Sequence, residues 1–93
     1  MPYVDNATRQ LLDSSLDAVA CRIAKMLSAR PGDMNYTISM LIKKVYGEKL
    51  RYADYNEIIV VLEDAKLEFY RRRVGPYEDR KLQENGDLYL DKP

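Results

Sequence analysis

Between Ile58 and Leu62 the chain carries five consecutive apolar residues, Ile58-Ile59-Val60-Val61-Leu62. Taken alone they suit a buried strand, because β-branched side chains favour the pleated surface. The flanks decide otherwise. Ile58, Leu62, Ala65 and Phe69 continue a helical stripe through LEDAKLEFYRR, which is rich in helix formers and meets no breaker before Gly75. A helix apolar on every side is normally covered on every side. Two neighbouring helices of a 93-residue chain leave part of that circumference bare, so the helix lies at the centre of the bundle or packs against a second copy, and the run favours the second, a symmetric dimer or higher oligomer. The expected architecture is all-α: a small bundle of three long helices, a short C-terminal helix and an extended tail, associated as a homo-oligomer.

The rest of the chain fits that frame. Leu12, Leu16, Val19, Ile23 and Leu27 recur at spacings of three and four, which predicts a helix over 6–29, capped by Asn6 or Thr8 and ended by Arg30-Pro31-Gly32. A second helix is expected over 34–46, capped by Asp33 or Asn35, lined by Ile38, Leu41, Ile42 and Val45, and closed by Gly47. The central helix is expected over 53–74, with Glu68 paired to Arg72 and the arginines near its C-terminus. Beyond Gly75-Pro76, residues 76–85 read as a short fourth helix or a kinked continuation, stopped by Asn85-Gly86; 87–93 alternate as a tail laid on the body or a neighbour. The whole is one domain, 1–93.

Several chemistries are excluded or disfavoured by residue type. The chain has no histidine and one cysteine, which removes the usual base near neutral pH, the commonest metal ligand and any internal disulfide. Cys21 reads as a small core hydrophobe. Ser14-Ser15 has no partner base, the four glycines occur singly, and Glu57, Asp64 and Glu68 read as a solvated acidic face. Neither a catalytic residue nor a cofactor or metal is expected. Net charge is zero, so no overall field attracts nucleic acid or membrane. No apolar run nears the roughly 20 residues of a bilayer span, and the N-terminus lacks a signal core. A cytoplasmic protein is expected.

The charge is nevertheless unevenly placed. Residues 43–52 carry net +3, residues 53–68 net −4 and residues 71–81 net +3. The last block holds the most suggestive constellation: Arg71-Arg72-Arg73, with Tyr70 before it and Tyr77, Arg80 and Lys81 after it. Arginine forks match phosphate or carboxylate oxygens, and tyrosine offers a flat face and a hydroxyl. Eight tyrosines against one phenylalanine and no tryptophan strengthen that reading, since tyrosine and arginine are enriched at interfaces and base-stacking platforms. Ion pairs of Arg71 and Arg72 with Glu68, Glu78 and Asp79 inside the fold are the competing explanation. Sequence-specific DNA binding is not expected, because the helix after the turn opens acidic, Tyr52-Ala53-Asp54-Tyr55-Asn56-Glu57.

From Asn35 to Tyr89 the motifs are Asn35-Tyr36, Tyr46-Gly47-Glu48, Tyr55-Asn56-Glu57, Leu62-Glu63, Ala65 to Glu68, Tyr70 to Arg72, Pro76 to Glu78, and Glu84 to Asp87 with Tyr89. In these the chain resembles a family of small uncharacterised proteins from bacteriophages and the bacterial genomes that carry them. The resemblance implies a helical fold and a phage or prophage setting, hence the host bacterial cytoplasm. Apolar packing alone does not require this polar punctuation. Asn35, Tyr36, Asn56, Glu57, Tyr70, Arg71, Arg72 and Tyr77 are therefore the candidate ligand-binding residues. The leading expectation is a non-enzymatic accessory protein that binds an anionic ligand such as a nucleotide, for instance a signal of a bacterial defence system. A module that inhibits or adapts a host protein, and a virion or assembly component, are the alternatives.

Overall fold

The computed structural model describes residues 3–27 and 29–89, and every regular element among them is a helix: α1 (Asn6–Lys25), α2 (Arg30–Tyr46), α3 (Tyr52–Phe69), a five-residue π segment (Tyr70–Val74) and α4 (Gly75–Asn85). The chain forms two compact units, Met1–Ile58 and Ile59–Pro93.

In the first unit α1 and α2 pack against each other. The cap of α1 is Asp5, not Asn6 or Thr8: its Oδ1 accepts from the Thr8 N–H at 2.8 Å, satisfying one of the four free donors of the first turn. The helix ends at Lys25, four residues short of the expected 29, where Met26 turns extended. Arg30-Pro31-Gly32 starts α2 instead of terminating α1. Proline suits a first turn because its missing N–H would have no acceptor there and its fixed φ is already helical. Among the described residues no side chain caps α2; Ala29 holds that position, and Asp33 and Asn35 lie inside the helix. Gly47 closes α2 at φ 80°, its N–H donating to the Lys43 carbonyl at 2.9 Å, as a C-terminal glycine does. After the short link, Asp54 Oδ2 accepts from the Arg51 N–H at 3.0 Å, the reach-back half of a capping box that starts α3.

In the second unit α3 passes directly into the π segment and α4, so Gly75-Pro76 does not break the helix. Proline cannot donate to a carbonyl one turn earlier and its ring crowds that carbonyl; a π turn accommodates this by widening the ring, and the Gly75 N–H bonds the Tyr70 carbonyl, five residues back. Of the two readings weighed for 76–85, a continuation is the one observed, ending at Gly86 with φ 91°. Asp87 Oδ1 then accepts from the Tyr89 N–H at 2.8 Å in a turn. Leu90 to Pro93, the rest of the expected tail, lie outside the described residues.

No described residue is buried. Leu12, Leu16 and Val19, expected to line a core, remain exposed, as does Leu11 at 80%. The Ile58–Leu62 run is largely uncovered: Ile58 is half-buried, but Ile59 is 64% exposed and Val60, Val61 and Leu62 are exposed with it. Cys21 is exposed and not a core residue; it occupies a helix on which no described position is closed off from water. Periodicity marks the apolar faces correctly, but this chain alone does not cover them.

Two glycines of α2, one at its end and one in its first turn, respond in opposite directions to a methyl group. Gly47 combines φ 80° with ψ −167°, a region essentially restricted to glycine at a cost of about 1–3 kcal/mol for other residues. Gly32 lies within the helix with open space where a Cβ would stand, no neighbouring atom coming within 4 Å of that point. Denaturant titrations are expected to show Gly47→Ala destabilised by about 1–3 kcal/mol, and Gly32→Ala stabilised by about 0.4–1 kcal/mol.

Candidate functional site

The arginine cluster coincides with the π segment, whose sequence is YRRRV. Its first two residues are tied to acids. The Tyr70 hydroxyl donates to both carboxylate oxygens of Glu78, at 2.9 and 3.0 Å, a bond that spans the π segment and fixes its first residue to the first turn of α4. Arg71 Nη2 donates to Glu68 Oε2 at 3.0 Å. Spacing predicts Arg72 as the partner of Glu68; the arginine three residues on takes the carboxylate instead of the one four residues on, both spacings lying on one helix face.

Arg72 and Arg73 have no counter-ion or hydrogen-bond partner among the described residues. Two adjacent guanidinium groups thus stand unpaired on a turn whose neighbours are restrained. Tyr77, one turn further, carries two cations near its ring: Arg80 Cζ at 6.0 Å and Lys81 Nζ at 5.6 Å from the centroid, within the usual range of cation–π attraction. Lys81 also pairs with Glu84 at 3.2 Å. The result is a short positive stretch with a flat aromatic at its edge. Such a stretch offers forked donors to an anion and a face to a planar ring.

The other four candidates belong to the first unit. Asn35 and Tyr36 lie on α2, and Asn56 and Glu57 on α3. Glu57 is engaged: the Tyr46 hydroxyl donates to its Oε2 at 2.7 Å, joining the last turn of α2 to α3. Tyr36 stands ten residues before Tyr46, about 15 Å along α2, so this bond does not bring the Asn35-Tyr36 pair to Glu57. Tyr46 itself is not among the candidates that the sequence marks. Its partnership across a link between helices leaves no sign at helical spacing.

Both bonded tyrosines are shifted in one direction. The Tyr46 hydroxyl is raised above its ordinary value of 10.0, first by its bond to Glu57 and then by partial desolvation and the nearby charges of Glu57 and Asp54. Tyr70 is raised first by its bond to Glu78 and then by that carboxylate's charge. Asp5 is lowered by the Thr8 N–H that it accepts from. Among the described residues no group of three or more His, Cys, Asp or Glu stands close enough to hold a metal ion, and no helix is long and apolar enough to cross a membrane.

Comparison with known families adds one finding. Residues 1–88 match the family described as Domain of unknown function (DUF6899). The chain belongs to that family. Neither the curated proteins nor the solved structures contain a match. Family membership covers both units, so the Tyr46–Glu57 bond and the arginine turn lie in one matched stretch.

Raised tyrosines hold their contribution to stability below the unfolded value near 10 and lose it as pH climbs through the higher folded value. In a tyrosine ring-carbon NMR titration, Tyr46 and Tyr70 are expected to ionise above the ordinary value of 10.0. Glu57→Ala should return Tyr46 to the ordinary range and leave Tyr70 where it was; ionisation of both at the ordinary value in the unsubstituted protein would contradict the bonds described.

Proposed function

We propose that this chain is a non-catalytic accessory protein of bacteriophage or prophage origin, working as a homo-oligomer in the host cytoplasm, that holds an anionic, phosphate-bearing small molecule such as a nucleotide. The observation that carries the proposal is the pair of unpartnered guanidinium groups, Arg72 and Arg73, on a turn restrained by the Tyr70–Glu78 and Arg71–Glu68 bonds. In this reading Arg72 and Arg73 take phosphate oxygens bidentately and Tyr77 offers its ring to a base. Arg71 and Tyr70 hold the turn, and Arg80 and Lys81 deepen the positive field. Neither donor has to leave an acid of the described chain first, so little is lost when an anion displaces water.

The exposed apolar residues of α3, Ile59, Leu67 and Phe69 among them, favour a macromolecular partner as well. That feature supports either self-association or a host protein, the second reading.

A thermal-shift panel of ATP, GTP, AMP, a cyclic dinucleotide and inorganic pyrophosphate separates these. A ligand present at 100 times its dissociation constant is expected to stabilise the protein by about 2.7 kcal/mol. Arg72→Glu with Arg73→Glu should abolish that shift with the ligand-free melting temperature little changed, since neither side chain has a partner among the described residues to lose. A flat response across the panel would discard the nucleotide reading and leave the host-protein one.

A further inference from the structure

Within α3, Tyr55, Ile58, Leu62, Ala65 and Phe69 recur at spacings of three, four, three and four, the repeat of a helix seam that meets another helix. This chain leaves the seam largely open: Tyr55 is 56% and Phe69 63% exposed, Leu62 is exposed too, and Ile58 is half-buried. The seam is also self-complementary when reversed. About a point midway between Glu63 and Asp64, Ile58 falls opposite Phe69 and Leu62 opposite Ala65, large facing small in the inner pair. Glu63 and Asp64 themselves occupy the two positions after Leu62, off the seam.

Charge selects the direction. Residues 53–68 carry net −4 and residues 71–81 net +3. A parallel pair would set acid on acid and arginine on arginine; a reversed pair sets the basic end of each copy beside the acidic start of the other, and opposes the two helix dipoles favourably. A stable interface needs on the order of 800 Å² from each partner. Tyr52, Tyr55, Ile59, Val61, Leu62 and Phe69, all exposed, supply an area of that order, aromatic side chains alone giving about 150–250 Å² each when fully withdrawn.

We propose that α3 pairs antiparallel with α3 of a second copy in this register, and that the anion site is completed across the pair, Tyr55 of one copy lying level with Arg72 of the other. The anion part rests on the proposed function above; the pairing does not. The same register gives Tyr55 a role that its own chain does not show: its ring and hydroxyl stand beside the partner's Arg72. The symmetric pair holds two such sites, one at each end.

Disulfide trapping tests the register. In a Cys21→Ser background, Ile58→Cys combined with Phe69→Cys should give a covalent dimer under mild oxidation, with each single substitution remaining uncrosslinked. The two positions on one helix are eleven residues, about 16 Å, apart, well beyond the roughly 7 Å limit for a bridge within one chain. Circular dichroism checks that the variants keep their helix. Crosslinking of Ile58→Cys alone would show a parallel pair and overturn the proposal, as would light scattering of the unsubstituted protein at 10.8 kDa at micromolar concentration.

Complementation tests the shared site, read with whichever compound of the thermal-shift panel binds. Tyr55→Ala and Arg72→Glu chains, each confirmed by light scattering to pair still, should each fail to bind alone, and an equilibrated equal mixture should recover about a quarter of the sites, because half the pairs are mixed and each mixed pair keeps one intact end. No recovery from a mixture shown to exchange overturns the shared site. Trapped dimers that bind nothing on the panel uphold the pairing and overturn the nucleotide reading; ligand binding by a 10.8 kDa monomer does the reverse.

Discussion

Helices of this length are marginal in water unless an apolar face is packed, because fixing the first turn costs more than its single hydrogen bond returns. The helix ends here are met locally, through Asp5 at the start of α1, Asp54 at the start of α3 and glycines at the ends of α2 and α4. None of the helices has its apolar face closed off: no described residue is buried. Burying a leucine, valine or isoleucine contributes roughly 1.5–3 kcal/mol, far more than a cap or an exposed ion pair. The unmet demand of the structure is therefore apolar cover, and α3, with its five-residue apolar run, presents the largest share of it.

The π segment follows from one missing hydrogen. Pro76 lacks an N–H, and an unmodified α register would place its ring against the preceding turn. Drawing the Gly75 N–H back to the Tyr70 carbonyl keeps the chain helical through the proline at the expense of a wider turn. The side chains on that turn are then set by the Tyr70–Glu78 and Arg71–Glu68 bonds. What remains is Arg72 and Arg73, directed by the same backbone but held by no acid among the described residues. A solution to a backbone problem has left two guanidinium groups on a shaped turn without an acid among the described residues.

Much of the helical layout is legible in the sequence. The three-and-four spacing of Leu12, Leu16, Val19 and Ile23 marks α1, and Gly47 and Gly86 mark two helix ends, because each feature acts locally. Pro31 and Pro76 mislead for one reason: proline is compatible with a helix's first turn and, with a π turn, with its interior, so its position says less than its presence suggests. Burial is not legible at all. Periodicity shows which side of a helix is apolar but not what covers it, so it assigns Leu16, Val19 and Cys21 to a core that this chain does not close. In the candidate site the arginine cluster and its acidic neighbours follow from charge, but spacing points Glu68 to Arg72, where Arg71 takes it. The Tyr46–Glu57 bond follows from neither, because it depends on the angle between two helices, which no pattern within either one encodes.

The two demands, apolar cover and counter-charge, fall on neighbouring parts of the same helix. α3 carries the acids and the uncovered seam; the turn that follows carries the unpaired arginines. A partner that covers the seam in reverse meets both at once, while one that covers it in parallel meets the first and aggravates the second. Surface ion pairs contribute little individually, so the arginines do not drive such association; the seam does. Their effect is on direction, and a guanidinium answered by a partner's acid is to that extent withdrawn from any anion, so orientation and binding would draw on the same charge.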